Sequence, residues 1–427
     1  MARAKKETAL TPEERLQAAL VPYWEWPYKL PENWCWTYFK SISTIQTGKK
    51  DANYGSDEGK YPFFTCAAES IRCHGYSFDC RAILLAGNGD INNISRYNGK
   101  FEAYQRTYVV KIAEPLCFDY IFYWFKYRWF DFNKGKMFGT AIPYIRLGNL
   151  QEFPTPIPPL AEQQRIVDRI ESLFAKLDEA KEKAQAVVDS FETRKAAILH
   201  KAFTGELTAK WREEHGVSID NWKTTRFDSV AAIRSNLVDP AEYQSFPHIA
   251  PDNIEKKTGV LLEYHTIAED GVTSGKHRFY SGQILYSKIR PYLSKAVVVD
   301  FDGLCSADMY PIEAYQNARC LWYYMLSDEF LLQASTAGSR SVLPKINQKE
   351  LSALTVHLPT NDREQEEIAR ILDELFDKEQ QTKEAAEIVL DQIDLMKKSI
   401  LARAFRGELG TNDPSEESAV ELLKRVL

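Results

Sequence analysis

Long apolar runs are missing from this 427-residue chain. No stretch approaches the roughly 20 apolar residues that span a bilayer, and the opening MARAKKETALTPEERL has no secretory apolar core. A cytoplasmic protein is expected. Paired cysteines are missing too: the seven present form no framework, which suits a reducing compartment. Cys66, Cys73 and Cys80 recur every seventh residue beside His74, wider than structural zinc spacing, so buried free thiols are expected and no metal site. Catalytic signatures are also lacking. GVTSGKH (Gly271 to His277) has Gly-Lys without the spacer and Ser/Thr of a phosphate loop. There is no Gly-x-Gly-x-x-Gly opening a helix, no His-Glu-x-x-His, no Gly-x-Ser-x-Gly and no Asn-Pro-Pro-aromatic run of an amino-methyltransferase. No catalytic residue is expected.

What is present is a repeat. ILHKAFTGEL at Ile198 to Leu207 returns as ILARAFRGEL at Ile400 to Leu409, and the same 202-residue step aligns Gln163 with Gln365, Leu173-Phe174 with Leu375-Phe376 and Val187 with Val389. Apolar residues in the first copy step by four and three through Ile166, Ile170, Leu173, Leu177, Ala180, Ala184, Val187 and Phe191 to Ile198. The second keeps the register through Ile368, Leu372, Leu375, Ala386, Val389, Ile393, Met396 and Ile400, interrupted by Glu379 and Thr382. That spacing predicts two long helices, each with a narrow coiled-coil seam and roughly 65 Å long. Pro158-Pro159, and Asn361 with Glu364 three residues on, mark the starts; Gly205 and Gly407 mark the stops. Equal length and register favour the copies pairing antiparallel over each packing on its own domain. Ile166, Ile170, Leu173, Phe174, Leu177 and Phe203 in one copy, with Ile368, Leu372, Leu375, Phe376, Ile400 and Phe405 in the other, are the candidates for helix pairing or partner docking.

The segments before the helices are fainter copies. Asn33-Trp34, Phe39 and Ser41 match Asn221-Trp222, Phe227 and Ser229, while Ile142-Pro143 and Ile145 match Leu343-Pro344 and Ile346. The reading is α+β: two mixed α/β domains in tandem, each followed by a long helix. The expected parts are an extension 1–27, a first domain 28–156, a helical region 157–216, a second domain 217–357 and a closing helical region 358–427. RTYVVKI (Arg106 to Ile112), YSGQILYSKI (Tyr280 to Ile289) and SKAVVVDF (Ser294 to Phe301) read as strands. FDYIFYWFKYRWF (Phe118 to Phe130) and CLWYYMLSDEFLLQAS (Cys320 to Ser335) read as buried aromatic helices, core rather than a base-stacking surface.

Charge decides little. The net charge is −6, but 28–152 carries 16 basic against 12 acidic groups while 358–427 carries 10 against 17. The acidity sits in the tail, and screening within about 10 Å leaves a local basic surface free to hold phosphate. Polar loops with Lys, Arg and Asn supply the candidates for DNA contact: Lys49, Lys50, Arg72, Asn88, Asn92, Asn93, Arg96 and Arg106 in the first domain, and Lys288, Arg290, Ser339 and Arg340 in the second. Arg and Asn are the side chains that bind guanine and adenine edges bidentately, while Lys holds phosphate. The same residues are ordinary in turns.

IPPLAEQQRIVDRIESLF (Ile157 to Phe174), AILHKAFTGELTAKW (Ala197 to Trp211), the Asn-Trp starts, ILYSKIRPYLSK (Ile284 to Lys295) and the Gly-Ser-Arg run before Leu343-Pro344 together resemble the DNA-specificity subunit of type I restriction-modification systems (HsdS). The resemblance covers nearly the whole chain. It implies two target-recognition domains separated by antiparallel helices, docking of two modification (HsdM) subunits on those helices, and restriction (HsdR) subunits joined through them. It implies double-stranded DNA as ligand, read as two unlike half-sites. S-adenosylmethionine, ATP and Mg2+ would belong to the partners. The alternative from another class is a non-catalytic coiled-coil scaffold that reads no sequence.

Overall fold

The computed structural model describes residues 10–337 and 344–427. Helix α1 (Pro12–Ala19) opens it, started by a reciprocal cap between Thr11 and Glu14. Strands β1 (Cys35–Tyr38), β2 (Ser43–Thr47), β3 (Tyr61–Phe64), β4 (Ile71–Cys73), β5 (Phe78–Ala86), β6 (Ile94–Ala103) and β7 (Thr107–Ile112) follow, then α2 (Phe118–Asn133), α3 (Leu147–Gln151) and β8 (Pro154–Ile157). The first long helix is α4 (Leu160–Asp189) continued by α5 (Phe191–Phe203), with α6 (Ala209–His215) behind it. The second half contains β9 (Trp222–Arg226), β10 (Ala231–Ile233), β11 (Leu237–Val238), β12 (Pro247–Ile249), β13 (His265–Thr266), β14 (Lys276–Phe279), β15 (Ile284–Ser287), β16 (Ala296–Val298), β17 (Gly303–Cys305) and β18 (Met309–Ala314). Helices α7 (Ala318–Met325), α8 (Asp328–Ala337) and α9 (Gln348–Ala353) precede β19 (Thr355–Pro359). The second long helix, α10 (Asp362–Ala404), and α11 (Ala419–Val426) close the chain.

Two compact units result, 1–183 with 389–427 and 184–388. Each combines one globular domain with the start of the long helix that follows it and the end of the other long helix. In the first unit the strands run in the order β2-β7-β5-β6-β3-β4, and β1 pairs separately with β8. Helix α2 buries Ile121, Trp124, Phe125 and Trp129 against Trp36, Phe39, Ile83 and Val110, so its aromatic stripe is core. In the second unit β10-β18-β15-β16 repeats the central strands, β9 pairs with β19, and an added sheet, β11-β14-β17-β12-β13, has a small core of its own around Ile249, Phe279 and Cys305.

Within each unit the long helices run antiparallel. In the first, Lys181 faces Asp394 at 3.9 Å and Asp178 pairs with Lys397, whose amine lies 5.1 Å from the Phe174 ring. In the second, Arg194 pairs with Glu379 at 2.7 Å and Thr208 donates to Glu364 at 2.8 Å. One partner index rises as the other falls. Glu379, which breaks the apolar seam in the sequence, is therefore an ion-pair position. Lys195, the counterpart of Lys397, lies 5.5 Å from the Phe376 ring and donates to the Lys257 carbonyl at 2.6 Å; burial lowers its pKa to about 8.

Four expectations change in detail. The first long helix breaks at Ser190, whose hydroxyl bonds back to the Ala186 carbonyl at 2.6 Å and competes with the helix ladder. The seam of α10 keeps Ile393 buried as expected but drifts around it, leaving Val389 and Met396 exposed and burying Leu401, because 3.6 residues per turn slides against a strict heptad. The Cys320 to Ser335 segment is two helices: the Ser327 hydroxyl turns back to the Tyr324 carbonyl and receives the Phe330 amide, which stops α7 and starts α8. Of the three evenly spaced thiols only Cys73 is buried, with Cys66 and Cys80 half-buried.

The capping box expected at Asn361 is half formed. Asn361 accepts the Glu364 amide at 3.3 Å, but the Glu364 carboxylate turns inward. It receives Thr208, Arg212, Asn221 and the Trp222 indole at 2.7 to 3.0 Å. Its counterpart Glu162 receives only Thr411 at 2.7 Å and Arg165 at 2.8 Å. Burial raises both carboxyl pKa values; four donors bring Glu364 below the ordinary value, while two leave Glu162 above it.

Glu364→Ala, which strands the buried Arg212 guanidinium, is expected to cost about 3 to 5 kcal/mol of stability in denaturant unfolding of the second unit. The two carboxylates also have opposite pH signs. Glu364, with its lowered pKa, contributes stability present above the unfolded value of about 4.3 and lost as pH falls through the folded one. Glu162, with a raised value, gains on acidification. The Trp222 indole proton, which donates to Glu364 at 3.0 Å, should therefore lose protection from hydrogen exchange as pH falls through the folded Glu364 value.

Candidate nucleic-acid interface

The strand pair β5/β6 and its counterpart β15/β16 each display a loop. In the first domain the Gly89 amide donates to the Pro143 carbonyl at 2.8 Å, and the Ile145 amide to the Gly87 carbonyl at 2.9 Å. In the second, 201 residues on, the Arg290 amide donates to Pro344 at 2.8 Å and the Ile346 amide to Lys288 at 2.9 Å. The bridges Asn88 to Tyr144 and Ile289 to Lys345 repeat the same step. Position 89 has φ 72° and position 290 has φ 49°, so both loops turn through the left-handed region at one place. Gly takes that conformation freely, whereas Arg290 pays about 1 to 2 kcal/mol. Between Gly87 to Asn93 and Lys288 to Ser294 no aligned residue is identical. The frame is kept and every side chain has changed.

Around this frame the first-domain candidates divide. The Gly87 amide donates to the Arg106 carbonyl at 2.8 Å and the Gln105 amide to the Lys50 carbonyl at 2.9 Å, which sets Lys50 and Arg106 at the start of the loop that carries Asn88. Lys49 is exposed next to Lys50, and Asn92 is exposed farther along the loop. Arg106 borders a concavity of about 300 Å³ with Thr47, Gly87 and Tyr108. The Lys50 amine lies 4.4 Å from the Tyr54 ring. Asn93 is turned inward, its amide donating to the Cys66 carbonyl at 3.1 Å. Arg96 faces α2, paired with Asp119 and 4.8 Å from the Phe122 ring. Arg72 stands apart on the outermost strand, bonded to the Lys60 carbonyl at 3.2 Å. In the second domain Lys288 donates to the Ala307 carbonyl and lies 3.9 Å from Asp308. The Arg290 side chain is exposed next to Tyr292, itself 47 % exposed. Ser339 and Arg340 lie outside the described residues.

The pairing candidates are buried at Ile166, Ile170, Phe203, Ile368, Leu372 and Phe405, and half-buried at Leu173, Phe174, Leu177, Leu375, Phe376 and Ile400. A concavity of about 860 Å³ at the start of α2 and α4 is lined by Arg81, Lys111, Cys117, Asp119 and Gln164 and by no residue of the braced loop. Among the described residues no three His, Cys, Asp or Glu side chains are gathered to hold a metal, and no helix is long and apolar enough to cross a membrane.

The model of the "Type I restriction modification DNA specificity domain" matches residues 31–188 and again 219–389. The chain belongs to that family. The type I restriction enzyme EcoDI specificity subunit of Escherichia coli is 40% identical over 428 residues, covering 93% of this chain and 95% of the relative. The EcoBI specificity subunit of Escherichia coli is 24% identical over 82% of this chain and 80% of its own length. Among solved structures, a chain of a type I R-M system superposes with a TM-score of 0.64 at 19% identity, over 90% of this chain and all of that one. The HsdS subunit from Thermoanaerobacter tengcongensis gives 0.58 at 18%, with the same coverage. These likenesses confirm the fold: two specificity domains of mixed α/β type in tandem, with long helices in contact.

In this specificity subunit the residues least legible from sequence are the backbone partners at Gly89 and Pro143. The Ile142-Pro143 match across the two halves was the signal for them, but the facing loops share no identity to extend it. Arg290→Gly, which installs the residue of the first domain, should leave the melting temperature unchanged or raised, since it releases the left-handed penalty. A fall of several degrees would show that the Arg290 side chain holds the loop.

Proposed function

We propose that this chain reads DNA for a type I restriction-modification complex without catalysing a reaction itself. Each domain reads one half of a bipartite, asymmetric duplex target. The observation that carries this reading is the pair of braced loops: one backbone frame presenting wholly different side chains is what recognition of two unlike half-sites by one architecture requires.

The helices would carry two modification (HsdM) subunits and, through them, the restriction (HsdR) subunits, with S-adenosylmethionine, ATP and Mg2+ acting on those partners in the cytoplasm. Helix α10 leaves Ile388, Val389, Leu395 and Met396 exposed, apolar side chains that a docked partner would cover.

Co-expression with the modification subunit of its own system, followed by sequencing of methylated bases in the host genome, tests the reading. One bipartite motif with unlike halves is expected. Arg290→Ala should relax one half only, by about 1 to 3 kcal/mol of discrimination. A stable complex with no motif would leave a scaffold, and methylation by the purified chain alone would overturn the non-catalytic assignment.

A further inference from the structure

The braced loop of the first domain carries no cation. From Gly87 to Asn93 its only charge is Asp90, where the second domain has Lys288 and Arg290. Holding and reading a duplex needs positive donors. Lys50 and Arg106 stand at the foot of the loop, and the segment that braces it adds three more cations: between Phe132 and Gln151 the chain has Lys134, Lys136 and Arg146 and no acidic residue. All three are exposed.

That segment is a built hairpin. Phe138 and Tyr144 exchange backbone hydrogen bonds of 2.9 and 2.8 Å, and their rings stack at 5.6 Å. Gly139 turns the chain with φ 83°, and Ile142 at the tip is 61 % exposed. The Arg146 guanidinium lies 3.9 Å from the Phe138 ring centre and 3.4 Å from the Tyr144 hydroxyl. Among the described residues no carboxylate pairs with it.

Arg146 also stands where helix physics disfavours it. Its counterpart 201 residues on, Asn347, caps α9 by accepting the Glu350 amide at 2.9 Å. Arginine has no acceptor, so it cannot give the start of α3 that bond, and its charge meets the positive end of the helix. The Arg146 amide is held by the Asn149 side chain at 2.9 Å, so the guanidinium serves the hairpin and not the helix. A side chain that breaks a local rule at such a place points to a use elsewhere.

We propose that Arg146, steadied by Phe138 and Tyr144, is the base-reading donor of the first half-site, its two-pronged guanidinium pairing with O6 and N7 of a guanine. The two domains then share a frame but read from different elements of it, the loop in the second and the bracing hairpin in the first. This rests on the DNA-reading function proposed above.

The test uses the chain co-expressed with its modification subunit, comparing host methylation for wild type, Arg146→Asn, Arg146→Lys and Arg290→Ala. Arg146→Asn restores the cap, so its melting temperature should not fall. Its motif should lose one guanine in the half that Arg290→Ala leaves intact, with discrimination there dropping about 5- to 150-fold. Arg146→Lys should not rescue, because a point charge cannot make a bidentate contact. An unchanged motif in Arg146→Asn, or rescue by Arg146→Lys, overturns the assignment while leaving the DNA-reading function standing. A wild-type complex that yields no motif overturns both.

Discussion

Everything in each unit hangs on a buried Glu-Gln pair at the start of a long helix. Glu162-Gln163 and Glu364-Gln365 are nearly inaccessible to solvent, and each side chain ties a different element to the helix. Gln163 accepts the amide at the start of α2 at 2.8 Å, and Gln365 accepts the Asn317 amide at the start of α7 at 3.3 Å. Glu364 holds the end of the other long helix through Thr208 and Arg212, which follow it, and Glu162 does so through Thr411, while Arg165 of its own helix joins it to Glu416. Domain, own helix and returning helix meet at one polar knot, and burial makes each missing donor expensive.

The knot explains why the repeat is strict where it is strict. Gly205 and Gly407 end the helices with φ 80° and 72°. A side chain at Gly205 would strike Ile219, and one at Gly407 would strike Pro31, each just before an Asn-Trp start. The left-handed backbone and these close side-chain neighbours favour glycine at both places, so the glycine of ILHKAFTGEL recurs in ILARAFRGEL. Tyr123 with Glu171 and Phe174, and Tyr323 with Asp373 and Phe376, repeat one contact set.

The loops obey the opposite constraint. Their frame is fixed by backbone hydrogen bonds, which any side chain permits, so the side chains are free to diverge. Two arginines sit there against local preference, Arg290 in a left-handed turn and Arg146 at a helix cap. Strain of about 1 kcal/mol at each is small beside the core that holds the frame, and such exceptions concentrate where a protein meets its ligand.

The sequence by itself determined the fold class, the two long helices, their antiparallel register, the aromatic cores around α2 and α7, and the family. Apolar period and glycine position are local physics, written twice in one chain. It also offered Arg290 as a candidate, because the second-domain loop carries its charge openly. Tertiary structure decided what backbone pairing and burial control. Glu364 left its cap for Arg212, Asn93 turned to the Cys66 carbonyl, Arg96 paired with Asp119 on α2, and Cys320 to Ser335 split at Ser327. The equivalence of Gly87 to Asn93 with Lys288 to Ser294 was invisible beforehand, since hydrogen bonds between main-chain atoms leave no residue signature. Arg146 became a candidate only once its loop, its hairpin and the cap it fails to make stood together in space.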